Sequence, residues 1–176
     1  ASGDLHGSKL IEALKEKDKK AEIRCWGGDL MKKAGGELVK HFNELAFMGF
    51  WEVISNLGAI IRNIKFCKKN ILEFAPDVII YIDYPGFNLR ISKWAKKQGF
   101  KNHFYISPQV WAWKENRVHQ MKKNLDALYV ILPFEKEFFE IRHQFSVEFV
   151  GHPLLDRVML SAKNSRFLIK NKISNT

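Results

Sequence analysis

A chain of 176 residues that is 46% hydrophobic, with 14 Phe and 5 Trp, can build one packed domain and is too apolar to stay disordered. The formal net charge of +10 favours phosphate-bearing partners (nucleic acid, anionic lipid or a phosphorylated metabolite), although a solvated lysine face gives the same balance. Cys25 and Cys67 fit no close-spaced zinc or redox pattern and no disulfide framework, which suits a reducing compartment, and no stretch reaches the roughly 18 apolar residues of a membrane span.

Residues 1–7, Ala-Ser-Gly-Asp-Leu-His-Gly, read as a loop turning into a helix carried on by Leu10, Ile11 and Leu14. Ser2 or Asp4 would cap that helix, and Gly3 would let backbone approach a ligand, so these three are candidate ligand contacts. In a doubly wound sheet such a loop follows the first strand, so the expectation is a chain that starts just after one. Next, Met48, Phe50, Trp51, Val53 and Ile54 crowd a glycine-containing segment. The helical period of Leu57, Ile60, Ile61, Ile64, Cys67 and Ile71 predicts a helix over 57–75 with Arg62, Lys65, Lys68 and Lys69 on its polar side. Ordinary core packing explains this apolar excess as well as an exposed ridge for acyl chains or a membrane interface does.

Residues 77–83, nearly all apolar between two acids, suit a central parallel strand covered on both faces. Residues 102–107 and 126–132 repeat that character, with helices predicted over 91–97 and 118–123 between them. Pro133 to Ile141 reads as a helix with proline in its first turn, and 146–150 as a further short strand. The alternation predicts βαβ units and an α/β domain built on an open, Rossmann-like parallel sheet with flanking helices, spanning residues 1–160. Residues 161–176 carry Lys163, Arg166, Lys170 and Lys172 without an acid and read as a basic linker.

Ligands of open α/β sheets bind beyond the carboxyl ends of the strands, where Asp83 is predicted to lie, followed closely by Asn88. A carboxylate there can take a proton from an attacking hydroxyl, although acids also cap the helices that follow strands. Ser107 to Arg117 holds Trp111, Trp113, Lys114 and Arg117: indole faces suit a sugar or acyl chain, and Arg grips phosphate with paired donors. The same mixture stacks single-stranded nucleic acid, and either tryptophan alternatively packs in the core. His152 sits at a strand-to-loop junction, as a phosphate or proton-transfer group or as a local hydrogen-bonding one. The 6 histidines show no metal-ligand spacing, so no metal site is predicted, and no GxGxxG, Walker or GxSxG motif is present.

Six ordered blocks resemble the lipid-A-disaccharide synthase family: residues 1–7, 46–53, 82–88, 107–113, 132–135 and 150–154. The resemblance implies the amino-terminal, acceptor-side half of a glycosyltransferase B-type fold, lacking its first strand. It implies an inverting transfer from UDP-2,3-diacylglucosamine to 2,3-diacylglucosamine 1-phosphate, giving a β-1,6-linked disaccharide 1-phosphate and UDP. No cofactor is implied. The setting would be cytoplasmic and peripheral on the inner membrane, in a homodimer, with an anionic membrane surface as partner and no nucleic acid. Asp83 matches the family's catalytic carboxylate, and Trp51, Val53, Ile54, Leu57, Ile60 and Ile61 match an apolar patch for membrane or acyl contact. Gly86 departs from the pattern, standing where many relatives carry a second acid. These 176 residues alone are expected to be inactive, and the competing reading is a noncatalytic basic module for anionic lipid or single-stranded nucleic acid.

Overall fold

The computed structural model describes residues 2–44 and 57–155. Its first helix, α1 (Ser2–Lys17), takes in almost all of the glycine-containing segment read as a loop. Gly7 sits where α1 crosses close to Met31, and a Cβ there would meet the Met31 sulfur at 2.8 Å. That close approach accounts for a glycine inside a helix.

Two short strands that the sequence pattern did not reveal follow: β1 (Arg24–Gly27) and β2 (Glu37–His41), joined by α2 (Asp29–Lys33). They pair in parallel as a two-stranded sheet. Trp26 of β1 fastens this sheet to the rest, with ring centroids 5.6 Å from Phe66 and 5.8 Å from Phe87. A 3₁₀ turn (Phe42–Glu44) ends this part of the chain.

The predicted long helix is α3 (Leu57–Phe74), which buries Cys67 and packs Ile64 and Ile71 against the core. Its end is fixed by Ala75 at φ 49° and the proline that follows. Then come β3 (Val78–Ile82), α4 (Pro85–Lys97), β4 (Lys101–Tyr105), α5 (Val110–Trp113), α6 (Arg117–Asn124) and β5 (Ala127–Val130). They are followed by α7 (Pro133–Glu137), which runs into a π-helical turn over Phe138–Arg142, and by β6 (Glu148–Phe149). The strands form a four-stranded parallel sheet in the order β3-β4-β5-β6. The α/β, Rossmann-like class is therefore correct.

One detail of the strand reading is corrected. Among the described residues β3 is the edge of its sheet, paired only with β4, and Val78 is 36% exposed. The fully buried side chains belong to the inner strands and their helices: Phe104, Leu128, Val130, Ile91, Val118, Met121 and Phe139. The 161–176 linker, and with it the boundary at 160, lies outside the described residues.

Candidate active site

Two adjacent strands end together at the carboxyl edge of the sheet. Ile82 pairs with Tyr105, so Asp83 and Ile106 are the first residues past the register. Both have positive φ, 55° at Asp83 and 68° at Ile106, and Tyr84 follows at 44°. For a β-branched isoleucine this is a strained conformation, of the kind that gathers at ligand sites. Asn88, in the first turn of α4, holds the bend: its Nδ2 donates to the carbonyls of Ile82 (3.2 Å) and Asp83 (2.6 Å). Asn88 thus supports Asp83 and does not line the cleft itself.

The bend raises the Asp83 carboxylate into a cleft of about 320 Å³. The cleft is lined by Ser2 and His6 from α1, by Ile82, Asp83 and Pro85, and by Ile106 to Val110, Trp113, Lys114 and Arg117. The Ser2 hydroxyl donates to Asp83 Oδ2 at 3.0 Å, and the Tyr84 N–H donates to Oδ1 at 2.8 Å. Each carboxylate oxygen can accept twice, so both remain open to a substrate hydroxyl. Gly3 lies behind the carboxylate, its virtual Cβ 3.7 Å from that of Asp83, an ordinary contact.

The rim opposite is cationic. Trp113 is 70% exposed, with Lys114 Nζ 4.4 Å and Arg117 Cζ 5.8 Å from the ring centre. Ser107 is buried; its N–H donates to the Tyr129 carbonyl and its hydroxyl to that of Pro108 (3.1 Å), which fixes the loop leading to the rim.

Three predicted contacts stand elsewhere. Asp4 is buried, and its carboxylate accepts from the N–H groups of Gly28 (2.8 Å), Leu30 (3.2 Å) and Met31 (3.1 Å). It caps α2 and not its own helix, and it does not line the cleft. Trp111 donates its indole N–H to buried Glu135 (3.2 Å), whose other oxygen receives the N–H groups of Ile131 and Leu132, so it braces the start of α7. His152 accepts from the N–H of Leu154 and does not line the cleft.

His6 is the residue the sequence reading missed. Partial burial and then the nearby positive charge of His152 lower its pKa, against the opposing influence of Asp83. Ser2 and His6 are four apart, one helical turn, so a helix starting at Ser2 would have placed both on the cleft side.

Met48, Phe50, Trp51, Val53 and Ile54 lie outside the described residues, as does the side chain of Leu57. On α3, Ile60 is half-buried, whereas Ile61 (48%), Phe66 (44%) and Leu72 (53%) are exposed. No helix among the described residues is long and apolar enough to cross a membrane, and none of their acid, cysteine and histidine side chains group as a metal site.

The family model for lipid-A-disaccharide synthetase matches residues 1–175. The chain belongs to the lipid-A-disaccharide synthetase family. It is 44% identical over 161 residues to the lipid-A-disaccharide synthase of Trichlorobacter lovleyi, covering 92% of this chain and 42% of that protein. Against the synthase of Geobacter metallireducens the identity is 42%, over 96% of this chain and 44% of the relative. Against that of Francisella philomiragia it is 39%, over 94% and 44%. The chain therefore spans less than half the length of the curated relatives it matches. The space around Gly86 is open: a Cβ there meets nothing within 4 Å.

Proposed function

We propose that this chain supplies the acceptor side of an inverting glycosyltransferase acting in lipid A biosynthesis. The donor would be UDP-2,3-diacylglucosamine, the acceptor 2,3-diacylglucosamine 1-phosphate, and the product a β-1,6-linked disaccharide 1-phosphate with UDP. The observation that carries the reading is the Asp83 carboxylate, set on a backbone of positive φ and held by Ser2 in a cleft with a cationic rim.

Asp83 acts as general base. One carboxylate oxygen takes the proton of the acceptor's primary hydroxyl as the oxygen attacks the donor's anomeric carbon, and the bond to UDP breaks on the opposite face. A single displacement inverts an α-linked donor to a β-linked product and needs no covalent enzyme intermediate. Lys114 and Arg117 meet the acceptor's 1-phosphate, with Trp113 beside the sugar. Donor contacts come mainly from the part of the relatives that this chain does not span. The exposed Ile61, Phe66 and Leu72 of α3, beside Arg62, Lys65 and Lys69, suit acyl chains at an anionic, cytoplasmic membrane surface. A homodimer is part of the same reading.

Grafting this chain into the Trichlorobacter lovleyi relative, in place of its matching residues, tests the proposal. The graft forms disaccharide 1-phosphate and UDP from the two diacyl sugars, Arg117→Ala raises the acceptor KM, and the 176-residue chain alone gives no turnover. A folded graft without product overturns the transferase reading, and vesicle binding measured against single-stranded nucleic acid would then decide between the noncatalytic roles.

A further inference from the structure

The loop between α5 and α6 carries the cationic rim, and one acid interrupts it. Glu115 lies between Lys114 and Arg117, a place where a negative charge on its own repels a phosphate. Its side chain is turned to another element. Glu115 Oε1 lies 3.0 Å from Arg142 Nε and 3.0 Å from His143 Nε2. His143 is only 11% exposed and its Nε2 has no well-directed hydrogen bond, so Glu115 is the group that answers it.

The element on the far side is the π-helical turn Phe138–Arg142, which ends α7. Such turns are rare and concentrate at functional sites. Phe139 is fully buried beneath it and the Arg142 guanidinium lies 5.9 Å over the Phe138 ring, so the turn is a fixed anchor. The other charged or titratable groups facing the cluster come from α6: the His119 ring stands 6.2 Å from that of His143, and Lys122 Nζ donates to the His143 carbonyl.

Short-range contacts shape the loop itself: Lys114 N–H bonds the Val110 carbonyl at its start, and buried Val110 and Val118 flank it. Arg117 N–H bonds the Lys114 carbonyl and Val118 N–H bonds that of Glu115, both within the turn, while Asn116 is exposed. An ion pair this exposed adds little stability. Its consequence is geometric: tying residue 115 to the π turn fixes where the side chains of residues 114 and 117 project.

We infer that Glu115 is a positioning residue, tethered by Arg142 of the π turn and by His143 just after it, that sets the Lys114 and Arg117 side chains to receive the acceptor's phosphate. The inference rests on the acceptor reading of the cleft. It reverses the sign that charge alone gives, since deleting an acid beside two cations should tighten phosphate binding, whereas deleting a tether loosens it.

The test is the affinity of the 176-residue chain for glucosamine 1-phosphate, followed at the Trp113 indole resonance, with glucosamine as the phosphate-free control. Glu115→Gln and Arg142→Gln each weaken glucosamine 1-phosphate about fivefold, leave glucosamine unchanged, and together weaken it no more than either alone. Thermal midpoints stay at the unsubstituted value, which separates positioning from unfolding. Tighter or unchanged glucosamine 1-phosphate binding by Glu115→Gln overturns the tether. Arg117→Ala separates the two readings. If it weakens binding and the tether variants do not, only this inference fails. If Arg117→Ala has no effect, or the unsubstituted chain does not bind the probe, the acceptor reading fails and the tether with it.

Discussion

The two ends of the four-stranded sheet are built on opposite terms. At the amino end, the polar groups around buried Asn102 are all hydrogen-bonded. Tyr81 donates to Asn102 Oδ1 (2.8 Å), Asn102 Nδ2 donates to the carbonyls of Ser92 (3.1 Å) and Asn124 (3.0 Å), and Asn102 N–H meets Asp126 (2.8 Å), which Lys96 also pairs. At the carboxyl end the backbone is strained at Asp83, Tyr84 and Ile106, and a carboxylate is left with open acceptor positions beside cations. A satisfied network rigidifies a core, whereas strain persists only where surrounding structure enforces it. The contrast implies that the amino end supplies the rigidity that holds the other end in its strained shape.

Breaking the amino end should therefore cost folding. Asn102→Ala strands the Tyr81 hydroxyl and two buried carbonyls and is expected to destabilise by about 3 kcal/mol in urea unfolding. A loss below about 1 kcal/mol would show that water replaces the network. Asp4→Ala, which uncaps α2, comes next at about 2 kcal/mol, and a loss of substrate affinity without destabilisation would return Asp4 to the cleft.

Acid sharpens the comparison, because each end answers in its own window. The folded pKa of His6 lies below 6.5, so its contribution is complete above 6.5 and is lost as pH falls through the folded value. Burial alone would raise Asp126, but the hydrogen bonds and charge of Lys96, the Asn102 N–H and the charge of His103 outweigh it. Its folded value lies below 3.8, so its contribution holds above 3.8 and disappears as pH falls through that lower value. Unfolding midpoints against pH should lose the upper step in His6→Gln and the lower one in Asp126→Asn. Both steps surviving would refute the assignment.

The smallest effect concerns Gly86, in the first turn of α4, with open space at its Cβ. Gly86→Asp should stabilise by roughly 0.5 kcal/mol, from helix propensity and the charge at a helix start. Destabilisation would mean that the glycine is needed for its backbone.

What could be read from sequence follows from range. Residues 77–83, 102–107 and 126–132 announced their strands because each is a short apolar run, and the period of 57–75 announced α3. The strands β1 and β2 stayed hidden because four and five residues of mixed polarity carry no clear alternation. Asp4 looked like a cap for its own helix, and its partners begin 24 residues away. Trp111 and Trp113 were equal candidates, yet two residues in a helical turn point to opposite sides, one to Glu135 and one to the cleft. Asp83 was legible because a charge ending an apolar strand is a local pattern. Its strain and its partner Ser2, 81 residues away, were not.

The most direct test is Asp83→Asn in the grafted synthase, with turnover and unfolding midpoint measured on the same preparation. The account predicts that kcat falls by about 10²-fold or more while the midpoint stays at the parent value, since Asn keeps the shape and tolerates positive φ. Turnover surviving in a folded Asp83→Asn graft would contradict it and move the base elsewhere.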